Sequence, residues 1–169
     1  MPLVLDHNLR TTRQIHESFG PLPPSRMYSR GSDGPAVRFV ACSTEDAVPM
    51  ADDVVDEFLD EGWLPSNVCL LTTGHRHPIQ EERTSFHGQE GYWQTYWDPD
   101  DVFYGHVLGC KGLERKTVVL CVNERSVKER SRERLYVGMS RATHELVVVG
   151  DPDVVRLMGG DEVAKRLGI

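Results

Sequence analysis

The stretch RLYVGMSRATHELVVVG, residues 134–150, decides the fold. Its last third, Leu146 to Val149, is a solid apolar run of strand length. Such a run, without polar alternation, belongs to a strand buried on both faces, as in a parallel sheet covered by helices. A helical pattern precedes it and gives way to the small-residue turn Ser140-Arg141-Ala142. A permanently charged arginine therefore stands at the mouth of a buried sheet, where it needs a partner or a task.

Outward from this stretch, apolar runs of strand length recur at Leu3-Val4-Leu5, Val37 to Val40, Val68 to Leu71, Val102 to Leu108 and Thr117 to Val122. Helical segments lie between them. Ser43, with Asp46 three residues on, is a helix-start signal. Behind it Ala51, Val54, Val55, Phe58 and Leu59 form one apolar stripe. Asp52, Asp53, Asp56, Glu57, Asp60 and Glu61 take the opposite face. Gly62 and Pro65 close that helix. Ser126 with Glu129 predicts a second helix running to about Ala142, and Thr11 to Phe19 a third. Strand and helix in alternation give an α/β domain with a mainly parallel sheet. At 169 residues the chain has the length of a single domain. Two segments look irregular: 21–35, rich in Pro, Gly and Ser, and 75–101, aromatic and loosely patterned.

No run of 18 apolar residues is present, and the first ten residues do not read as a signal peptide. Cys42, Cys69, Cys110 and Cys121 lie far apart in or beside apolar runs. They read as buried free thiols of a reducing cytosol rather than zinc ligands, so a cytoplasmic location and no metal are expected. Net charge is −7, but it is unevenly spread. Residues 44–64 hold eight acids and no Lys or Arg, whereas 111–141 hold nine basic residues and four acids. One acidic side and one basic side permit a polyanionic partner despite the total; two solvated faces are the plainer alternative.

Ligands of open parallel sheets bind beyond the carboxyl ends of the strands. Arg10, Lys111 with Glu114, and Arg141 are expected there, converging from distant positions as a phosphate-rich ligand would require. Arg141 alone could equally be a cation serving a helix C-terminus. The wording around these residues narrows the choice. LDHNLRTTRQI, GCKGLERKTVVL and LYVGMSRATHELVVVG, in that order, resemble motifs IV, V and VI of UvrD/Rep-like superfamily 1 DNA helicases. The likeness runs from Leu3 to Gly150 and points to the second, C-terminal RecA-like motor domain, with 75–101 standing where a large insertion usually falls.

The resemblance implies roles. Arg10 and Arg141 would approach the γ-phosphate of ATP, Arg141 as an arginine finger that stabilises transferred charge. Glu114 would contact the ribose, and Gly112 would supply the turn on the nucleotide side. Lys111 would link that cleft to DNA. The chain departs from the pattern at Leu9, where an aromatic usually stacks on adenine, at Leu108, where a histidine usually meets DNA, and at Arg115, where phenylalanine is usual. His106, two residues before Leu108, is the substitute DNA contact; Thr72, Thr73 and Arg76 are candidate contacts to the DNA backbone, with a plain exposed turn as the equal alternative. No G-x-x-x-x-G-K-[ST] loop occurs, and no strand-borne acidic pair for Mg²⁺. ATP and Mg²⁺ would therefore be held mainly by an N-terminal RecA-like domain of the same protein, and Met1 would be a fragment or engineered start. The partner would be single-stranded or partly duplex DNA, and the track for the single strand would be shared between the two domains. The rival expectation is a non-catalytic nucleic-acid or protein-binding module that kept the fold. YWQTYW, residues 92–97, reads first as loop packing and second as a base-stacking platform. His75 and His77 lack a third ligand at metal spacing.

Overall fold

Residues that favour strands and residues that must be buried coincide in the middle of the chain, and there the sheet forms. The computed structural model describes residues 7–8, 11–22, 28–29 and 33–169. Its main sheet has five strands: β3 (Arg38–Ala41), β4 (Val68–Thr72), β5 (Phe103–His106), β6 (Arg115–Val122) and β7 (Ala142–Gly150). They lie side by side in the order β3-β7-β6-β4-β5, every pair parallel. A short parallel ladder, β1 (His7–Asn8) with β2 (Tyr28–Ser29), stands apart. The expected strand at Leu3 to Leu5 and the candidate Arg10 lie outside the described residues.

Period-two alternation sorts each central strand between two cores. Leu71, Val118, Leu120, Val122, Leu146 and Val148 face one cluster, together with α1 (Arg13–Phe19), α4 (Ser131–Met139), α5 (Pro152–Gly159), α6 (Asp161–Leu167) and Tyr92. Leu70, Val119, Cys121, Val147 and Val149 face the other, closed by the apolar stripe of α2 (Ala47–Asp60). This is the three-layer α/β arrangement expected from the sequence. Ser43 does accept the Asp46 N–H, capping a 3-10 turn that leads into α2.

Three elements differ from expectation. Residues 78–94, inside a segment without a regular sequence pattern, form α3 (Pro78–Gln94), interrupted at Gly88, whose φ of 70° only glycine adopts at ease. The segment hid because only Gln80 and Tyr92 of this helix are buried, leaving no apolar stripe to read. The helix expected from Ser126 begins instead at Ser131. The preceding residues 125–130 are exposed, while Ser131 is tied to the end of β6 through Glu124. The helix ends at Met139, so that β7 starts at Ala142. Lastly, the run Val102 to Leu108 turns out of the sheet after His106 into a 3-10 turn, Val107–Gly109.

Helix α4 approaches the sheet closely at Gly138. A Cβ there would lie 2.4 Å from Leu120 Cδ1 and 3.1 Å from Val107 Cγ1. Leu120 is itself fully buried and has no room to yield. Gly138→Ala should therefore destabilise the domain by about 1–3 kcal/mol, and Leu120→Val in the same chain should recover part of that loss. Urea unfolding of the two single variants and the double variant checks the expected non-additivity.

Candidate functional site

The candidate residues fall on opposite edges of the sheet. Motif V runs from β5 around the 3-10 turn to the start of β6, which carries Leu113, Glu114 and Arg115 to the amino edge. Arg141 joins α4 to the first residue of β7, on that same edge. Here the expectation that Glu114 and Arg141 lie beyond carboxyl ends is corrected: the loop after β5 is long enough to return along the face of the sheet before β6 begins. Thr72, Thr73, Arg76 and His106 occupy the carboxyl edge.

At the amino edge, backbone and side chains interlock. Arg141 is 8% exposed. Its Nε donates to Val137 O at 3.0 Å, Nη1 to Leu113 O at 3.2 Å, and Nη2 to Ser140 Oγ at 2.9 Å. Ser140 Oγ donates in turn to Val137 O. The Arg115 N–H donates to Arg141 O, and the Arg115 carbonyl accepts from Thr143 Oγ1. The cation thus bonds a carbonyl in the last turn of α4, as a helix-end role requires, and also reaches across to motif V. Gly112, with φ of +82°, makes the turn before Leu113, and a Cβ there would meet no described atom within 4 Å. Glu114 follows, exposed. Cys110, buried behind the turn, has its thiol pushed up to about 12 by burial, against the pull of Arg141 and Arg115.

Lys111 bridges toward α4: its Nζ lies 2.7 Å from Glu133 Oε1. That hydrogen bond, and the charge behind it, hold the Glu133 carboxyl below its ordinary range. Both partners are exposed, so the pair is a weak tether.

At the carboxyl edge the loop after β4 is held from two sides. Asn123 Oδ1 accepts the Gly74 N–H at 2.8 Å, and Asn123 Nδ2 donates to His75 O at 3.0 Å. A Cβ on Gly74 would meet Asn123 O at 2.8 Å. His106 Nδ1 accepts the Leu108 N–H, which leaves Nε2 protonated to donate to Gly74 O and Thr73 O. His106, expected as a direct DNA contact, therefore uses both ring nitrogens to tie the loop. Thr72 and Thr73 are buried, and neither Oγ1 has a hydrogen-bond partner among the described residues. Beyond this loop opens a cleft of about 350 Å³, bordered by Thr73, His75, Asn123, Arg125 and Lys128. Past His106 and Leu108 it adjoins a second hollow of about 270 Å³ that reaches Arg76 and Trp93. Under the cleft, buried Glu124 binds Arg134 Nε at 2.7 Å and accepts from Ser131.

Sequence reasoning did not single out Asn123, Glu124 or Lys128. The sign of a loop tie is an asparagine at a strand's carboxyl end, but the partner loop is 49 residues away, from Gly74 to Asn123. His77 faces Asp52 at 2.7 Å and caps α3 by accepting the Ile79 N–H, away from His75. Tyr92 and Tyr96 are buried while Trp97 is 78% exposed, so packing accounts for the tyrosines of YWQTYW. No helix among the described residues is long and apolar enough to cross a membrane, and no three His, Cys, Asp or Glu among them are grouped to hold a metal ion.

Residues 106–149, which run from His106 through both edges to the end of β7, match the family model of the UvrD-like helicase C-terminal domain. The fold is similar to the crystal structure of the C-terminal domain of a possible DNA helicase from Lactobacillus plantarum WCFS1. The TM-score is 0.56 and the identity 21%, over 85% of this chain and 87% of that one. No curated protein matches the chain.

His106 supplies a pH test of the loop tie. Burial first, and then the nearby Arg134 and Arg76 cations, lower its pKa from the ordinary 6.5, against the opposing pull of its two carbonyl acceptors. The unfolded chain thus binds the proton more readily than the folded one. Stability should be complete above about 6.5 and should fall as pH drops from there toward the lower folded pKa. Melting temperatures of the wild type and His106→Gln between about pH 7.5 and pH 5 check this: the variant should show the shallower acid-side slope.

Proposed function

We propose that this chain is the C-terminal motor domain of an ATP-dependent DNA helicase or translocase. The observation that carries the reading is the junction at the amino edge, where Arg141 donates to Leu113 O beside exposed Glu114. The residues fit one side of a nucleotide site: a cation, an acid and an open glycine turn. They do not fit the whole, since no Gly-Lys-Thr loop is present. ATP and Mg²⁺ would be held mainly by a companion N-terminal RecA-like domain, and the phosphoryl group would supply the developing charge.

Arg141, with Arg10, acts on that charge. An anionic phosphoryl oxygen is a stronger acceptor than a neutral carbonyl or a hydroxyl, so it can compete with Leu113 O and Ser140 Oγ for the guanidinium N–H groups. Glu114 accepts from the ribose, and Gly112 lets the chain pass close to it. The single-stranded DNA track follows the carboxyl edge. Arg76, Arg125 and Lys128, all exposed, face the phosphates. Thr73 borders the cleft from beneath, Thr72 ends β4 buried and out of reach of a phosphate, and His106 fixes the loop after β4. Lys111, exchanging Glu133 for phosphate, joins the two edges. A second reading, a non-catalytic module, is favoured by the same junction: Arg141 already satisfies carbonyls of its own domain.

Turnover separates these readings. In the complete protein, Arg141→Ala should lower DNA-stimulated ATP hydrolysis by about 10³–10⁵ with little change in nucleotide Kd. Arg141→Lys should recover little, because it lacks the planar fork. If Arg141 is purely structural, kcat stays near wild type while stability drops by about 1–3 kcal/mol.

The 169-residue chain alone should bind single-stranded DNA weakly and should not hydrolyse ATP. With about three phosphate contacts, affinity should fall roughly twentyfold between about 50 and about 200 mM salt, and Arg125→Ala/Lys128→Ala should flatten that slope. Fluorescence anisotropy with a labelled oligonucleotide measures both, and a salt-independent affinity sinks the track.

A further inference from the structure

Tyr96 lies in a 3-10 turn, Thr95–Trp97, that follows α3 and has no counterpart in the motif likeness. It is 8% exposed, yet its ring ends at motif V: Tyr96 Oη donates to Glu114 O at 2.9 Å. Arg115, the next residue, lays its guanidinium over the same ring with Cζ 3.7 Å from the centroid, and its Nη2 donates to Tyr96 O. Phe103 packs edge-on against Tyr96 at 5.2 Å, so the ring has little freedom to turn. The carbonyls on either side of the turn are already taken, Leu113 O by Arg141 and Arg115 O by Thr143. Tyr96 supplies the bond to the one between them. Arg115 is thus more than a departure from the usual phenylalanine. It joins the motif V backbone to a segment whose sequence carries no regular pattern.

We propose that Tyr96 and Arg115 are a positioning pair that sets where Glu114 sits for the nucleotide sugar. This rests on the site reading above. A hydroxyl bonded to the Glu114 carbonyl, and a cation stacked on the same ring, fix the peptide from which the Glu114 carboxylate projects. Orientation of that kind governs ground-state sugar binding, so its loss falls on KM rather than on kcat.

The test uses the complete protein, with ATP and 2′,3′-dideoxyATP as probes. The ratio of their Kd values reports the sugar contact, and Glu114→Ala should erase it. Tyr96→Phe keeps the ring and the stacked cation but removes the Glu114 bond. It should reduce the ratio about threefold to tenfold, raise KM for ATP by a similar factor, and add little to Glu114→Ala in the double variant. Without nucleotide, amide exchange at Leu113 to Arg115 should quicken in Tyr96→Phe. Arg115→Gln breaks the contact from the other side and should act in the same direction. If Glu114→Ala erases the ratio while both Tyr96→Phe and Arg115→Gln keep the wild-type value, the positioning role is overturned alone. If Glu114→Ala leaves the ratio intact, the site reading fails and the positioning role with it.

Discussion

The amino edge of this domain depends on one interaction, the guanidinium of Arg141 bonded to Val137 O, Leu113 O and Ser140 Oγ. A helix leaves its last carbonyls unpaired, and a strand about to begin cannot reach them. Arginine solves this with a single planar group that reaches acceptors on two elements at once. Lysine could bond the helix end but could not span to Leu113 with the same geometry. Motif V, α4 and β7 meet at that fork. An arginine used this way is a structural joint that holds its charge, nearly buried, at the amino edge.

Charge elsewhere follows the same economy. The basic stretch 111–141 reads as a polyanion footprint in the sequence, yet much of it serves the domain itself. Arg134 neutralises buried Glu124, Arg132 donates to Gly159 O and Pro21 O, Lys111 holds Glu133, and Arg115 stacks on Tyr96. What is left facing the carboxyl-edge cleft is Arg125 and Lys128, with Arg76 across the loop. A footprint of this size would support only weak, salt-sensitive contact with a polyanion.

The two edges are connected through rigid parts. His106 closes β5 and ties the Thr73–Gly74 loop on the carboxyl side. Four residues on, Cys110 enters the turn that ends at Glu114 on the amino side. Helix α4 spans the same distance, from Ser131 beside Glu124 to Ser140 beside Arg141, packed on the sheet through Gly138 without room for a side chain. Short, close-packed connections of this kind have few alternative arrangements.

The layers were legible in the chain's local pattern. Apolar runs at Val68 to Leu71, Thr117 to Val122 and Leu146 to Val149 could only be central strands, and the α2 stripe could only cover them, because burial and periodicity are local properties of the chain. The motif wording also marked Gly112, Glu114 and Arg141 before any contact was known. Which edge each residue occupies depends on the path of the loop after β5 and not on spacing, so it follows from the folded chain. The folded chain alone revealed α3, whose residues are too exposed to leave an apolar stripe, and the late start of α4 at Ser131, which rests on a bond to Glu124. It also revealed the bonds of His106 to the Thr73 and Gly74 carbonyls, and joined Tyr96 to Glu114 across 18 residues. Such bonds are selected by the geometry of the packed chain, and no local pattern encodes a partner so far away.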